Sequence, residues 1–151
     1  MRGRKPPLLA IDGKTTEFTT VGKGKYQVEQ VITEGKQIAL QARGDEQARW
    51  IEATVIGARA VRVCGLYLPN GNPRPGPKFE YKMRWFSRLQ QRAAELWATG
   101  HPVVLLGDWN VVPTDADIYK PDTWRDDALL QPETRAAFAS ILAQGWTDAI
   151  G

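Results

Sequence analysis

Cysteine and histidine are almost missing from this 151-residue sequence, which has one of each, Cys64 and His101. A single cysteine excludes an internal disulfide. Cys64 lies in an apolar run and reads as a buried thiol, which favours a reducing compartment. His101 stands directly before Pro102 and reads as a turn residue, not as a ligand or base. Long hydrophobic runs are also missing: none approaches the roughly 20 residues that a spanning helix needs. The basic start Met1–Lys5 is followed by an apolar stretch, Leu8–Ile11, too short for a signal peptide's core of roughly 7–15 residues. The expectation is therefore a cytoplasmic protein without a membrane partner. No sign of charge dominates, since 20 Lys+Arg face 17 Asp+Glu, and with 42% hydrophobic residues that balance excludes wholesale disorder.

What is present fits one ordinary domain, for which roughly 100–150 residues is common. The charge is spread unevenly along it. Residues 58–106 carry eight positive and two negative side chains, whereas residues 107–151 carry three and eight. A basic middle followed by an acidic end matches a phosphate-binding surface beside a metal site, and equally two unrelated solvated faces.

The first forty residues are the least readable, with Lys25–Ile32 alone resembling a strand. From Arg49 the pattern clears. Arg49–Ile56 alternates apolar with polar groups, Gly57 turns the chain, and Ala60–Leu68 follows, so an antiparallel hairpin is predicted. Pro69–Pro77 contains four prolines and reads as a long loop. In the next segment Met83, Phe86, Leu89, Ala93, Leu96 and Trp97 recur at helical steps, predicting a helix from about Phe79 to Thr99 with Lys82, Arg88 and Arg92 on its opposite side. Val103–Leu106 is wholly apolar, the signature of a central strand covered on both faces. Residues 113–131 read as loop, and Pro132–Ala143 as a second helix with Pro132 in its first turn.

Chemistry concentrates at strand ends. Gly107-Asp108-Trp109-Asn110 directly follows the apolar strand, where α/β sheets present functional groups. There Asp108 is able to orient or deprotonate a water, and Asn110 to hydrogen-bond a phosphoryl oxygen. The same spacing also fits a turn in which Asp and Asn cap backbone groups. Tyr67 and Asn70, in Leu66-Tyr-Leu-Pro-Asn-Gly71, are neutral donors suited to an anion, although Asn-Gly is also a common turn. Arg49 before the hairpin and Arg74 with Lys78 in the Pro-rich loop are placed to meet a polyanion's backbone. The acids Asp115, Asp117, Asp122, Asp126 and Asp127 read as a solvated loop, with Asp117 a weak site candidate.

Taken in order, Asp45-Glu-Gln-Ala-Arg49, Leu66-Tyr-Leu-Pro-Asn-Gly-Asn72, the helix start Lys78–Trp85, Gly107-Asp-Trp-Asn110 and Pro132-Glu-Thr-Arg135 resemble the exodeoxyribonuclease III family of abasic-site endonucleases and 3′→5′ exonucleases. The resemblance implies an α/β (α+β) fold, a four-layer sandwich of the endonuclease/exonuclease/phosphatase type. It implies a metal-dependent phosphodiesterase acting on double-stranded DNA at abasic sites and 3′ ends, using Mg2+ or Mn2+, as a monomer. Carried onto matching positions, Tyr67, Asp108 and Asn110 would be catalytic, Asn70, Arg49 and Arg74 would bind substrate, and Asp108 with Asn110 would meet the metal.

Residues 1–44 show neither the family's Asn-containing turn nor its metal-binding glutamate, and the family's closing Asp-His pair lies beyond the equivalent of Asp148. The expectation is a member incomplete at both ends: residues 1–44 distinct, and residues 45–151 the central part of the nuclease domain. A chain lacking those groups is alternatively a catalytically inactive fragment that binds DNA weakly, through Arg49, Arg74, Lys78 and Arg84, or folds poorly. Another branch of the superfamily, acting on phospholipids or sphingomyelin, fits the Asp45–Arg49 and Tyr67–Asn72 stretches less well.

Overall fold

The computed structural model describes residues 15–17, 27–33, 49–56 and 59–150. Its β-branched and aromatic runs form five strands: β1 (Thr15–Glu17), β2 (Gln27–Thr33), β3 (Trp50–Ile56), β4 (Ala60–Tyr67) and β5 (Val103–Asp108). They make one sheet in the order β1-β2-β3-β4-β5. The predicted hairpin is there: β3 pairs antiparallel with β4, in unbroken register from Trp50 opposite Leu66 to Ile56 opposite Ala60. Residues 57 and 58, assigned to its turn, lie outside the described residues, as does the Asp45–Ala48 stretch. The predicted strand Lys25–Ile32 corresponds to β2, which pairs antiparallel with β3 across an irregularity between Val28 and Gln30.

By compactness the chain divides in two. One unit takes the residues up to Leu66 together with His101–Gly107; the other takes Tyr67–Gly100 and Asp108 onward. The first unit is the sheet. Its buried Glu52 accepts a hydrogen bond from the Trp50 indole (2.9 Å) and pairs with Arg62 (3.1 Å). A charge taken out of water costs several kcal/mol unless it is paired in this way. Gly107 is obligatory here. Its φ is +136°, and a Cβ at this position would stand 1.9 Å from the Leu66 carbonyl oxygen.

The second unit is built on two helices, α1 (Pro77–Ala98) and α2 (Pro132–Leu142), joined through β5 and a loop with two short 3-10 turns, Asp115–Asp117 and Pro121–Trp124. Both helices begin on a proline, whose fixed φ suits the first turn and whose missing N–H is not needed there. Their apolar faces meet: Trp85, Phe86, Leu89, Ala93 and Leu96 from α1 and Ala137, Phe138 and Ile141 from α2 are buried. Each large side chain among them contributes about 1.5–3 kcal/mol by leaving water. Gln90 adds a directional contact, donating to Ser140 Oγ (2.6 Å) and accepting from Gln144 (3.0 Å).

Three expectations are corrected. Lys82 does not face solvent; it is fully buried, beside Trp85 and Phe86 on the core face of α1. Trp97, assigned to that face, is 52% exposed, and Trp85 fills the core instead. The strand predicted for the middle of a sheet, β5, stands at the edge of the described sheet, with Val104 and Leu106 46% and 48% exposed. An all-apolar run signals burial on both faces, and within the described residues that condition is not met. No helix among the described residues is long and apolar enough to cross a membrane. The class is α/β, and the described strands form one sheet.

Candidate active site

The second unit gathers the Asn- and Asp-rich strand ends around one buried lysine. After β4 the chain passes Leu68 and Pro69, both buried, and exposes Asn70. After β5 it exposes Asp108 and turns through Asn110, whose φ of +44° lies in the left-handed region that Asn tolerates better than most residues. The backbone N–H of Leu68 donates to the Asp108 carbonyl (2.8 Å), which brings the two turns side by side.

The turn reading of Asp108 and Asn110 holds. Asp108 Oδ1 accepts the backbone N–H of Asn110 (2.9 Å), closing the turn. The Asn110 side chain then reaches across: its Nδ2 donates to the Leu68 carbonyl (2.7 Å) and to Asp108 Oδ2 (3.3 Å). Asn70 Nδ2 in turn donates to Asn110 Oδ1 (3.3 Å). Asp108, Asn110 and Asn70 therefore form one continuous polar array at the strand ends.

Beneath it the Lys82 Nζ donates to the backbone carbonyls of both Asn70 (3.1 Å) and Asn110. Its stem runs against Gly71, where φ is +93° and a Cβ would stand 2.6 Å from Lys82 Cδ. Burial pushes the Lys82 ammonium down to about 8 from an ordinary 10.5, against the opposing pull of Asp127 and Asp108. A third asparagine completes the arrangement. Asn72 Nδ2 donates to Asp127 Oδ2 (3.1 Å), and its Oδ1 accepts from the Ala128 N–H (2.9 Å), fastening the long loop to the Asn70 turn.

Of the residues singled out in the sequence, Asn70, Asp108 and Asn110 are brought together. Tyr67 ends β4 and is 51% exposed, between the buried Leu66 and Leu68. Arg74 lies in the Pro-rich loop with its guanidinium 5.3 Å from the centre of the Phe79 ring. Arg49 directly precedes β3 in the sheet unit. Asp117 is a structural group: it caps Thr114, accepting from its backbone N–H (2.8 Å) and its hydroxyl (2.7 Å). Asp127 is not part of a solvated loop but a half-buried acceptor for Asn72 and for the Leu129 N–H (2.8 Å).

Lys82, Asn72 and Asp127 are the members that sequence reading missed. Lys82 carried a usable signal, because it stands three and four residues before Trp85 and Phe86 and so shares their face. The pairing of Asn72 with Asp127 spans 55 residues and has no local signature.

Asp108 and the Asn110 amide oxygen are hard oxygen donors of the kind magnesium takes, usually through one or two carboxylates with water completing its shell. Among the described residues no group of three or more His, Cys, Asp or Glu is positioned to hold a metal. A cleft of about 250 Å3 lies elsewhere in this unit, lined by Asp115, Pro121, Asp122, Arg125, Leu130 and Arg135. Its two arginines are already paired with Asp122 and Asp115.

An exodeoxyribonuclease of Bacillus subtilis is 33% identical over 88 residues, covering 58% of this chain and 34% of that protein. The solved structure of the 3′-5′ exonuclease NExo of Neisseria meningitidis superposes with a TM-score of 0.71 at 34% identity, covering 82% of this chain and 46% of that one. A Neisseria NExo structure described as a 3′ phosphatase bound to a product DNA hairpin matches at 38% identity and a TM-score of 0.60, over 67% of this chain and 38% of that one. This chain thus spans between a third and a half of the length of these relatives. The profile of the Endonuclease/Exonuclease/phosphatase family matches residues 13–150, beginning inside the segment set apart in the sequence. With that match over nearly the whole chain, the protein is a member of the endonuclease/exonuclease/phosphatase family.

Proposed function

We propose that this chain carries the water-activating part of a DNA-repair phosphodiesterase, one that hydrolyses double-stranded DNA at abasic sites and 3′ ends. The observation that carries this reading is the array of Asp108, Asn110 and Asn70 at adjoining strand ends, a carboxylate beside neutral amides. Relatives named as exodeoxyribonuclease and as DNA-(apurinic or apyrimidinic site) endonuclease support it.

In this mechanism Asp108, exposed and held by its own turn, orients a water against the phosphorus and accepts its proton. The new bond to the water oxygen forms as the bond to the leaving oxygen breaks, and the leaving oxygen takes up a proton from solvent. Charge then grows on the phosphoryl oxygens. Asn110 meets it by turning its second N–H from Asp108 Oδ2, the longer and weaker of its two bonds, toward the substrate. Asn70 and Tyr67 supply further neutral donors, and Arg49 and Arg74 contact the DNA backbone. A divalent cation, Mg2+ or Mn2+, would be held by the Asp108 carboxylate and would supply neutralisation of phosphoryl charge; Asn110 Oδ1, which now faces Asn70, would join it only by giving up that contact.

Cleavage of a duplex bearing one abasic site, in Mg2+ and in EDTA, with Asp108→Ala alongside, tests the reading. Cleavage that needs the metal and is lost in the variant supports it. No cleavage by a chain that melts cooperatively and still retains the duplex would replace it with a non-catalytic DNA-binding piece.

A further inference from the structure

We propose that Lys82 is a positioning residue for this site, its ammonium setting the distance between the Asn70 and Asn110 amides by holding the backbone carbonyls of both. The inference rests on the functional reading above. Three observations carry it. Lys82 is fully buried, so its ammonium serves no solvent-facing or substrate-facing purpose. Its nitrogen donates to the carbonyl oxygens of Asn70 and Asn110, residues on two separate turns, whose side chains meet at 3.3 Å. Its stem passes through the space that a glycine leaves open, since any Cβ at Gly71 would stand 2.6 Å from Lys82 Cδ.

An ammonium has three donors and no acceptor, so one nitrogen can bridge two carbonyls that would otherwise repel each other. It grips the backbone and takes up no hydrogen-bonding atom of either amide side chain. The anchor is rigid because it sits in the first turns of the 22-residue α1, packed between the turns and the helix core. A group that acts on the reaction only through the residues it fixes should change turnover more than substrate affinity, as supporting partners of ligands and catalytic groups commonly do by 10–100-fold.

The test compares Lys82→Met, which keeps length and removes the ammonium, with the unsubstituted chain, each also in an Asn110→Ala background. Expected is a kcat for abasic-duplex cleavage lowered about 10–100-fold, with KM changed less than about threefold. In the Asn110→Ala background the same substitution should cost less than about threefold, because the group being positioned has gone. The side-chain NH2 resonances of Asn70 and Asn110 should move in Lys82→Met. Equal loss in both backgrounds would reduce Lys82 to a general structural role, and unmoved amide resonances would overturn the proposal outright. If the unsubstituted chain cleaves nothing, the functional reading fails, and the amide resonances decide the role of Lys82 alone. Should Lys82→Met not fold, Lys82→Cys in a Cys64→Ser chain, aminoethylated while unfolded and then refolded, restores an ammonium at nearly the same reach. A propyl cap on the same cysteine is the uncharged control. Native amide resonances with the aminoethyl cap and not with the propyl cap support the proposal, and identical spectra sink it.

Discussion

At the scale of single residues the candidate site depends on groups that are already satisfied by one another. Asn110 donates twice through its amide and accepts once, so any substrate must compete with Asp108 for one of those donors. Asn110→Ala should therefore lower cleavage by about 100–1000-fold, the usual cost of losing a donor to developing charge. It should also cost about 1–2 kcal/mol of stability, because Ala tolerates a φ of +44° poorly. Turnover and urea denaturation measured on the same preparation separate the two effects. Lys82 gives a prediction in pH. The unfolded chain keeps the lysine proton to about 10.4, whereas the folded chain releases it near 8. Between those values the unfolded state binds more protons, so stability rises with pH through this window, by roughly 2–3 kcal/mol. Denaturation midpoints at pH 7.5 and pH 10, in EDTA, should show the rise, and Lys82→Met should lack it. An equal rise in both proteins would mean that another group is responsible. Why Lys82 went unread in the sequence is physical: a cation in a helix is normally on its wet side, and its burial is made tolerable by the carbonyls gathered from two distant turns together with the charges of Asp127 and Asp108. Asp108 and Asn110, two residues apart at the end of an apolar strand, were legible because their chemistry is local.

Elements were legible where one pattern decides them. The hairpin of β3 and β4 follows from alternation, and α1 and α2 from apolar recurrence with a proline in the first turn. Among the described residues β5 stands at an edge and not in the middle, because an apolar run states what a strand could bury and not what lies beside it. The correction is measurable. Leu89, fully buried in α1, should cost about 2–5 kcal/mol on replacement by Ala. Leu106, 48% exposed on β5, should cost less than about 1 kcal/mol. Thermal denaturation of the two variants decides, and equal losses would mean that the β5 face is covered. The end of the same strand tolerates far less. Gly107→Ala brings a methyl group to 1.9 Å from the Leu66 carbonyl oxygen at a φ of +136°, so β4 and β5 must separate there. A loss above about 3 kcal/mol is expected, from a forbidden conformation and a clash together.

Across the whole molecule the uneven charge takes on meaning only with the fold. The eight cations of residues 58–106 are not one surface. Lys82 is buried and structural, Arg62 is bound to Glu52, Arg84 faces Glu80 at 3.9 Å, and Arg92 pairs with Glu95 at 2.9 Å. A sum over sequence thus overstates what is available to a polyanion, and Arg74 of the Pro-rich loop with the exposed Lys78 in the first turn of α1 are the positions proposed to meet one. Affinity for the proposed DNA substrate should then be moderate and salt-dependent, since each phosphate neutralised releases condensed counterions. Arg74 is the informative position, being half-buried against Phe79 in the loop that leads into α1. Arg74→Gln should weaken binding uniformly across duplex sequences and reduce the slope of log K against log salt by about one. Fluorescence anisotropy with a labelled duplex between about 50 and 200 mM salt reads both quantities, because log K falls linearly with log salt across that range. A variant with unchanged slope would place Arg74 in the packing of Phe79 instead, and binding of this chain to DNA would have to come from Lys78, Arg49 or the neutral amides at the strand ends.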